Sequence, residues 1–171
     1  MALGSMLRYL DIVLKIWEWA QEKLTIEEIY NKLLLATYNE GMIAWHWAAH
    51  EGSLDILLQV WDWAEGILTT QDINIKLISA TDNEGLTAFH ETAKEGNLDI
   101  LLKLWERAQG KLTTQDINCK LLLATDNAGM TARHWVECEG NLDILQKLWN
   151  WAESKLTKEE INNKFLLFTN N

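Results

Sequence analysis

Apolar residues recur along this chain at helical intervals, interrupted by short polar stretches that end in glycine. In "NLDILLKLWERAQ" the residues Leu98, Leu101, Leu102, Trp105 and Ala108 fall on one face, which predicts an amphipathic helix with Asn97, or Ser53 in another copy, as its cap. A shorter helix is predicted over "TAFHETAKE", with Thr87 as N-cap and Gly96 as the C′ residue. A third, short helix is predicted in "LTTQDINCKLLL", where Thr113 stands three residues before Asp116, a shortened capping box. Thr25 with Glu28 and Thr157 with Glu160 give the fuller form. The stretch "TDNEG" reads as a turn, because Asp and Asn tolerate turn dihedrals and glycine supplies a positive φ.

The whole pattern repeats. Gly41, Gly85 and Gly129 are 44 residues apart (85 − 41 and 129 − 85), as are His46, His90 and His134. A fixed period of this size is the mark of a stacked array. It divides the chain into a partial N-terminal unit or cap (6–35), two full units (36–79 and 80–123) and a C-terminal unit or cap (124–171), in one continuous array. Residues 1–5, "MALGS", read as a cloning scar outside the fold. Arg133 and Glu137 replace apolar residues of the other copies, so a polar C-terminal end and a natural stop are expected.

The opening of each unit resembles the ankyrin repeat. "DNEGLTAFH" (82–90) and "DNAGMTARH" (126–134) carry Asp, Gly, Thr and His at that family's spacing, and "YNEGMIAWH" (38–46) keeps the Gly and His. "HWAAHEGSLDIL" (46–57) follows the family's next run. Two features depart from it. Alanine (Ala44, Ala88, Ala132) stands where the family has proline, and the unit is longer than the usual length of about 33 residues. The resemblance implies an all-α, ankyrin-like helical solenoid: a turn, a helix pair and an extra short third helix per unit. It also implies a non-enzymatic, protein-binding function as a scaffold or adaptor. A designed or purely structural array is the alternative, and an enzyme is the weaker one.

By the same resemblance, Gly41, Gly85, Gly129, Thr87, Thr131, His46, His90 and His134 are structural. His90 bonds within its own turn beside Thr87, and His134 beside Thr131, while the partner of His46 stays open because Ile43 replaces the threonine. The contact residues implied are Asn39, Glu40, Met42, Trp47 and His50, then Asn83, Glu84, Leu86, Glu91 and Lys94, then Asn127, Ala128, Met130, Trp135 and Cys138. An exposed row of Met42, Leu86 and Met130 beside Trp47 and Trp135 would make an anchor patch. Packing of Trp47 and Trp135 between first helices is the equal alternative. Asn83, Glu84, Leu86 and Lys94 read as positions the fold does not need.

Composition narrows the classes. The 171 residues carry a formal net charge of −10 and no basic stripe, which speaks against nucleic acid and anionic membrane as partners. There is no proline, in keeping with a helical chain. The paired tryptophans Trp17/Trp19, Trp61/Trp63 and Trp149/Trp151 read as core between units, with Trp105/Arg107 as the exception. Cys119 and Cys138 read as reduced and structural. The apolar N-terminus is broken by Arg8, Asp11 and Lys15, so neither a signal peptide nor a membrane span is expected. The expectation is a monomer in the cytoplasm or in a host cytosol, binding a partner protein, with no cofactor, metal or catalytic residue. Equivalent histidines one stacking step apart, roughly 10 Å, are too far apart to share a ligand.

Overall fold

A computed structural model of the chain describes the backbone of residues 2–167 and the side chains of residues 11–167 other than Val13 and Asn39. Met1, Phe168 and the side chain of Asn39 therefore lie outside the described residues. So do the side chains of residues 2–5, whose backbone runs on into the first helix.

The described chain is all-helical, with no strand among the described residues. First helices are α3 (Ala44–His50), α6 (Ala88–Glu95) and α9 (Ala132–Glu139). Second helices are α1 (Ala2–Lys23), α4 (Leu54–Ile67), α7 (Leu98–Lys111) and α10 (Leu142–Lys155). The short helices are α2 (Ile26–Ile29), α5 (Thr70–Ile73), α8 (Thr114–Ile117) and α11 (Lys158–Glu160). Helix α6 packs between α3 and α9, and α7 between α4 and α10. No helix among the described residues is long and apolar enough to cross a membrane.

Each short helix is started by a threonine whose hydroxyl accepts the backbone N–H three residues on: Thr25, Thr69, Thr113 and Thr157. Glu28 and Glu160 reach back to the threonine N–H and close a full capping box. Asp72 and Asp116 are one methylene shorter and instead accept from the threonine hydroxyl at 2.7 Å. Each short helix then widens into a π turn, closed by bonds five residues apart such as Ser79 N–H to the Asn74 carbonyl (3.0 Å) and Leu123 N–H to Asn118 (2.9 Å). The wide turn sends two successive apolar side chains inward, Leu77 with Ile78 and Leu121 with Leu122. The capping pattern predicts the helix, and the π turn that follows it has no such local signature.

Ser53, Asn97 and Asn141 make no side-chain cap on the second helices. Asn97 is drawn instead to the preceding unit, where its amide donates to the Ala49 carbonyl at 3.0 Å.

The tryptophans form a ladder along the second helices. Trp17 stacks on Trp63 with centroids 4.1 Å apart, and Trp105 on Trp151 at 4.0 Å. Both steps span 46 residues (63 − 17 and 151 − 105). Trp61 meets Arg107, also 46 residues on (107 − 61), with the guanidinium 5.8 Å from its ring. Arg107 thus fills a tryptophan's place by cation–π contact and pairs with Asp62 and Glu65. The expectation that both members of each pair are core needs correction. Trp17, Trp61 and Trp105 are buried, whereas Trp63, Trp149 and Trp151 are half-buried covers. Trp19, which stands where the later units carry Trp63, Arg107 and Trp151, is 58% exposed.

At the other end Arg133 does not face water. It is buried, stacks on Phe165 and donates to the carbonyls of Phe165 (2.7 Å) and Leu166 (3.1 Å), with Glu137 as its ion partner. Leu142, Leu166 and Leu167 are exposed beside it, so this end is mixed rather than polar.

Candidate functional site

The turns between units are built by a carboxylate. Asp82 Oδ1 accepts the N–H groups of Glu84 and Leu86, both at 2.9 Å, and Asp126 does the same for Ala128 and Met130. In the first unit Tyr38 stands at that place. Without the acceptor the turn changes, and Glu40 adopts φ +70°, a left-handed conformation rare for a side chain of this kind.

Successive turns are linked through their backbones. The N–H of Asn83 donates to the Glu40 carbonyl (2.8 Å), and that of Asn127 to the Glu84 carbonyl (3.0 Å). The Asn127 amide adds a bond to the Asn83 carbonyl at 3.0 Å. A Cβ at Gly85 would fall 2.5 Å from Asn127 Oδ1 and 2.8 Å from its backbone nitrogen. Glycine therefore leaves room for the next turn to close. Asn127 serves the fold through its side chain, whereas the bonds of Asn83 are made by its backbone.

His46 and His90 tie neighbouring units together. Thr87 donates to His90 Nδ1 from its N–H (3.2 Å) and its hydroxyl (2.8 Å). Because Nδ1 accepts, Nε2 carries the proton and donates to the Ala124 carbonyl at 3.0 Å. The tie thus reaches 34 residues ahead (124 − 90), beyond the turn to which the sequence reading confined it. His46 does the same with the Ile43 N–H (3.4 Å) and the Ala80 carbonyl (2.9 Å), which supplies its missing partner. Thr131 donates to His134 Nδ1 by its N–H at 3.0 Å. Burial holds all three imidazoles below their ordinary pKa, with the Arg133 charge adding to the effect at His134. Both ring nitrogens of His90 are spent on these bonds, so it has no lone pair to offer a substrate.

The expected contact residues separate into three groups. Met42 and Leu86 are only 5% and 1% exposed, so the exposed Met/Leu/Met row does not exist: their side chains turn under the turns, and Met130 alone is partly open. Glu91 is also buried. Glu40, Glu84, Ala128 and Cys138 are exposed, as is Cys119, so neither cysteine is core. Trp47, His50, Lys94 and Trp135 are half-buried on the first-helix face. Trp47 and Trp135 lie outside the apolar core cluster. Trp47 packs edge-on against Tyr38 and His50, with centroids 5.8 and 5.6 Å apart. Trp135 donates its indole N–H to Asp126 at 2.9 Å and carries the Lys94 amine 5.1 Å above its ring.

Two residues of this face were not singled out as contacts from the sequence. Tyr38 is an exposed aromatic at a position that is Asp in the other units. Glu95 joins His50 and Glu91: His50 Nδ1 is 3.0 Å from Glu91 Oε2 and 3.5 Å from Glu95 Oε1. Copy-to-copy variation at Tyr38 and His50 was the signal; at Glu95 there was none, since Glu51 and Glu139 match it. Elsewhere an apolar recess of about 210 Å³ lies among Trp17, Leu34, Val60 and Trp63, with no ionisable group in its lining. No protein-family profile matches the chain, and no curated protein matches it in sequence.

Proposed function

We propose that the chain is a non-catalytic protein-binding module. In this reading its units form one ankyrin-like solenoid that holds a partner protein against the turn tips and the first-helix face, in a cytoplasmic or host-cytosolic setting. The observation that carries the proposal is the half-exposed row Tyr38, Trp47, His50, Lys94 and Trp135, which lies on one face and outside the core. Tyr and Trp are the residues that most often anchor protein interfaces, because they bury large areas at low entropic cost. Lys94 and the neighbouring Glu40 and Glu84 supply a polar rim. The repeated turn and His tie support the ankyrin-like assignment, since they place equivalent positions in register from unit to unit. The engagement of both His90 nitrogens and the apolar lining of the recess support a function without catalysis.

Affinity capture from the source lysate with mass spectrometry tests this, comparing the wild-type chain with a Tyr38→Ala, Trp47→Ala, Lys94→Ala variant. The variant should lose the captured partner and keep its unfolding midpoint to within about 1 kcal/mol of stability. Equal capture by both would place the interface elsewhere. No saturable capture by either would favour a partnerless array.

A further inference from the structure

The first-helix face holds one group that the fold does not account for. Glu91 is 0% exposed, at a position where the other units carry Trp47 and Trp135. His50 Nδ1 meets one of its oxygens, but the other, Oε1, is buried with no hydrogen-bond partner. A buried carboxylate with an orphan oxygen is costly, and such groups are paired or bind metals.

Its neighbours are metal-ligand types on two packed helices. Glu91 and Glu95 sit one helical turn apart on α6, and His50 reaches across from the end of α3. One ligand atom from each lies within 4.8 Å of the other two. Ligands at roughly 2.0–2.2 Å around a tetrahedral zinc stand roughly 3.2–3.6 Å from one another. The two His50 separations, 3.0 and 3.5 Å, are already close to that spacing. His50 and Glu95 have side chains 33% and 35% exposed, so an ion can enter and a fourth position is open to water or a partner's side chain. The corresponding place between α6 and α9 is closed differently, by Lys94 over Trp135. Imidazole among the ligands selects the zinc class over calcium and magnesium, which take oxygen ligands.

We propose that His50, Glu91 and Glu95 form a three-residue site for a divalent first-row transition ion of the zinc class, which clamps α3 to α6 with one coordination position left open. The ion supplies the positive charge that the buried Glu91 carboxylate lacks. This site is independent of whether a protein binds the same face.

The test uses the full chain, tag-free and carrying Cys119→Ser and Cys138→Ser so that exposed thiols do not compete. Zinc chloride is titrated calorimetrically, and thermal unfolding is recorded with and without zinc. One equivalent should bind saturably and raise the melting temperature, while magnesium should do neither. His50→Gln and Glu95→Gln, both at accessible side chains, should each weaken zinc at least about tenfold. Glu91→Gln should abolish the zinc-dependent shift. The absence of saturable one-to-one binding would overturn the proposal, and so would unchanged affinity in both His50→Gln and Glu95→Gln.

Discussion

Replacing His90 by alanine separates a structural histidine from a reactive one. The ring is fully buried and holds the Thr87 N–H at 3.2 Å and the Ala124 carbonyl at 3.0 Å. Alanine strands both backbone groups in the interior, at about 1–3 kcal/mol each. The void left by the imidazole adds about 1–2 kcal/mol. The sum, roughly 3–8 kcal/mol, is a large part of the about 5–15 kcal/mol that holds an ordinary domain together. Urea unfolding followed by circular dichroism measures it directly. His90→Gln keeps an amide donor for Ala124 and should recover about half the loss. His46→Ala should cost less than His90→Ala, because its Nδ1 contact is longer (3.4 Å) and Ile43 brings no hydroxyl. A loss under about 1 kcal/mol at His90, or a larger one at His46, would refute the reasoning.

Three more outcomes follow from the same geometry. Burial lowers the pKa of His46, His90 and His134 from 6.5, so below pH 6.5 the unfolded chain holds more protons and stability falls with falling pH; above it these groups add no slope. Urea midpoints taken from about pH 7.5 to 5.5 should show that decline, His90→Gln should make it shallower while His46 and His134 keep the rest, and a level wild-type profile would contradict the assignment. A Cβ at Gly66 or Gly110 meets nothing within 4 Å, so alanine at either should raise the calorimetric stability by about 0.5–1 kcal/mol, whereas Gly85→Ala, at φ +81° and against Asn127, should lower it by at least about 2 kcal/mol. Arg107→Ala should cost about 1 kcal/mol through loss of its contact with Trp61, while Arg107→Trp should hold or gain stability; an alanine variant as stable as wild type would dismiss the ladder.

Much of this arrangement was legible in the sequence because it is local. Thr25, Thr69, Thr113 and Thr157 each accept the N–H three residues on and cap the helix that starts at the next residue, and Gly96 takes the left-handed conformation that its place after α6 required. Contacts that cross between units were harder to read. The His90 bond to Ala124, the Asn97 bond to Ala49 and the stack of Trp17 on Trp63 depend on register between helices, which periodicity leaves open. Burial misled at the turn tips for the same reason: Leu86 follows a turn in sequence but lies beneath it in space.

The differences between units are therefore more informative than the shared pattern. Where Tyr38 replaces Asp, the turn loses its acceptor and Glu40 takes a strained φ in exchange for an exposed aromatic. Where Arg107 replaces Trp, the lost stacking is offset by a cation–π contact and two acidic partners, so the fold keeps its ladder. Glu91 is compensated only in part, since His50 meets one oxygen and leaves the other without a partner. The scaffold accepts a tryptophan at that position in the units on either side, yet here it carries a buried carboxylate with one oxygen unpartnered. Packing alone disfavours that choice. The group that would offset it is a cation, and His50 and Glu95 are the further ligands that α3 and α6 bring beside Glu91. Stability and ligand binding thus make opposite demands on Glu91: Glu91→Gln should raise the metal-free urea midpoint in the variant that no longer responds to zinc, and a fall in that midpoint would mean that the carboxylate serves the fold itself.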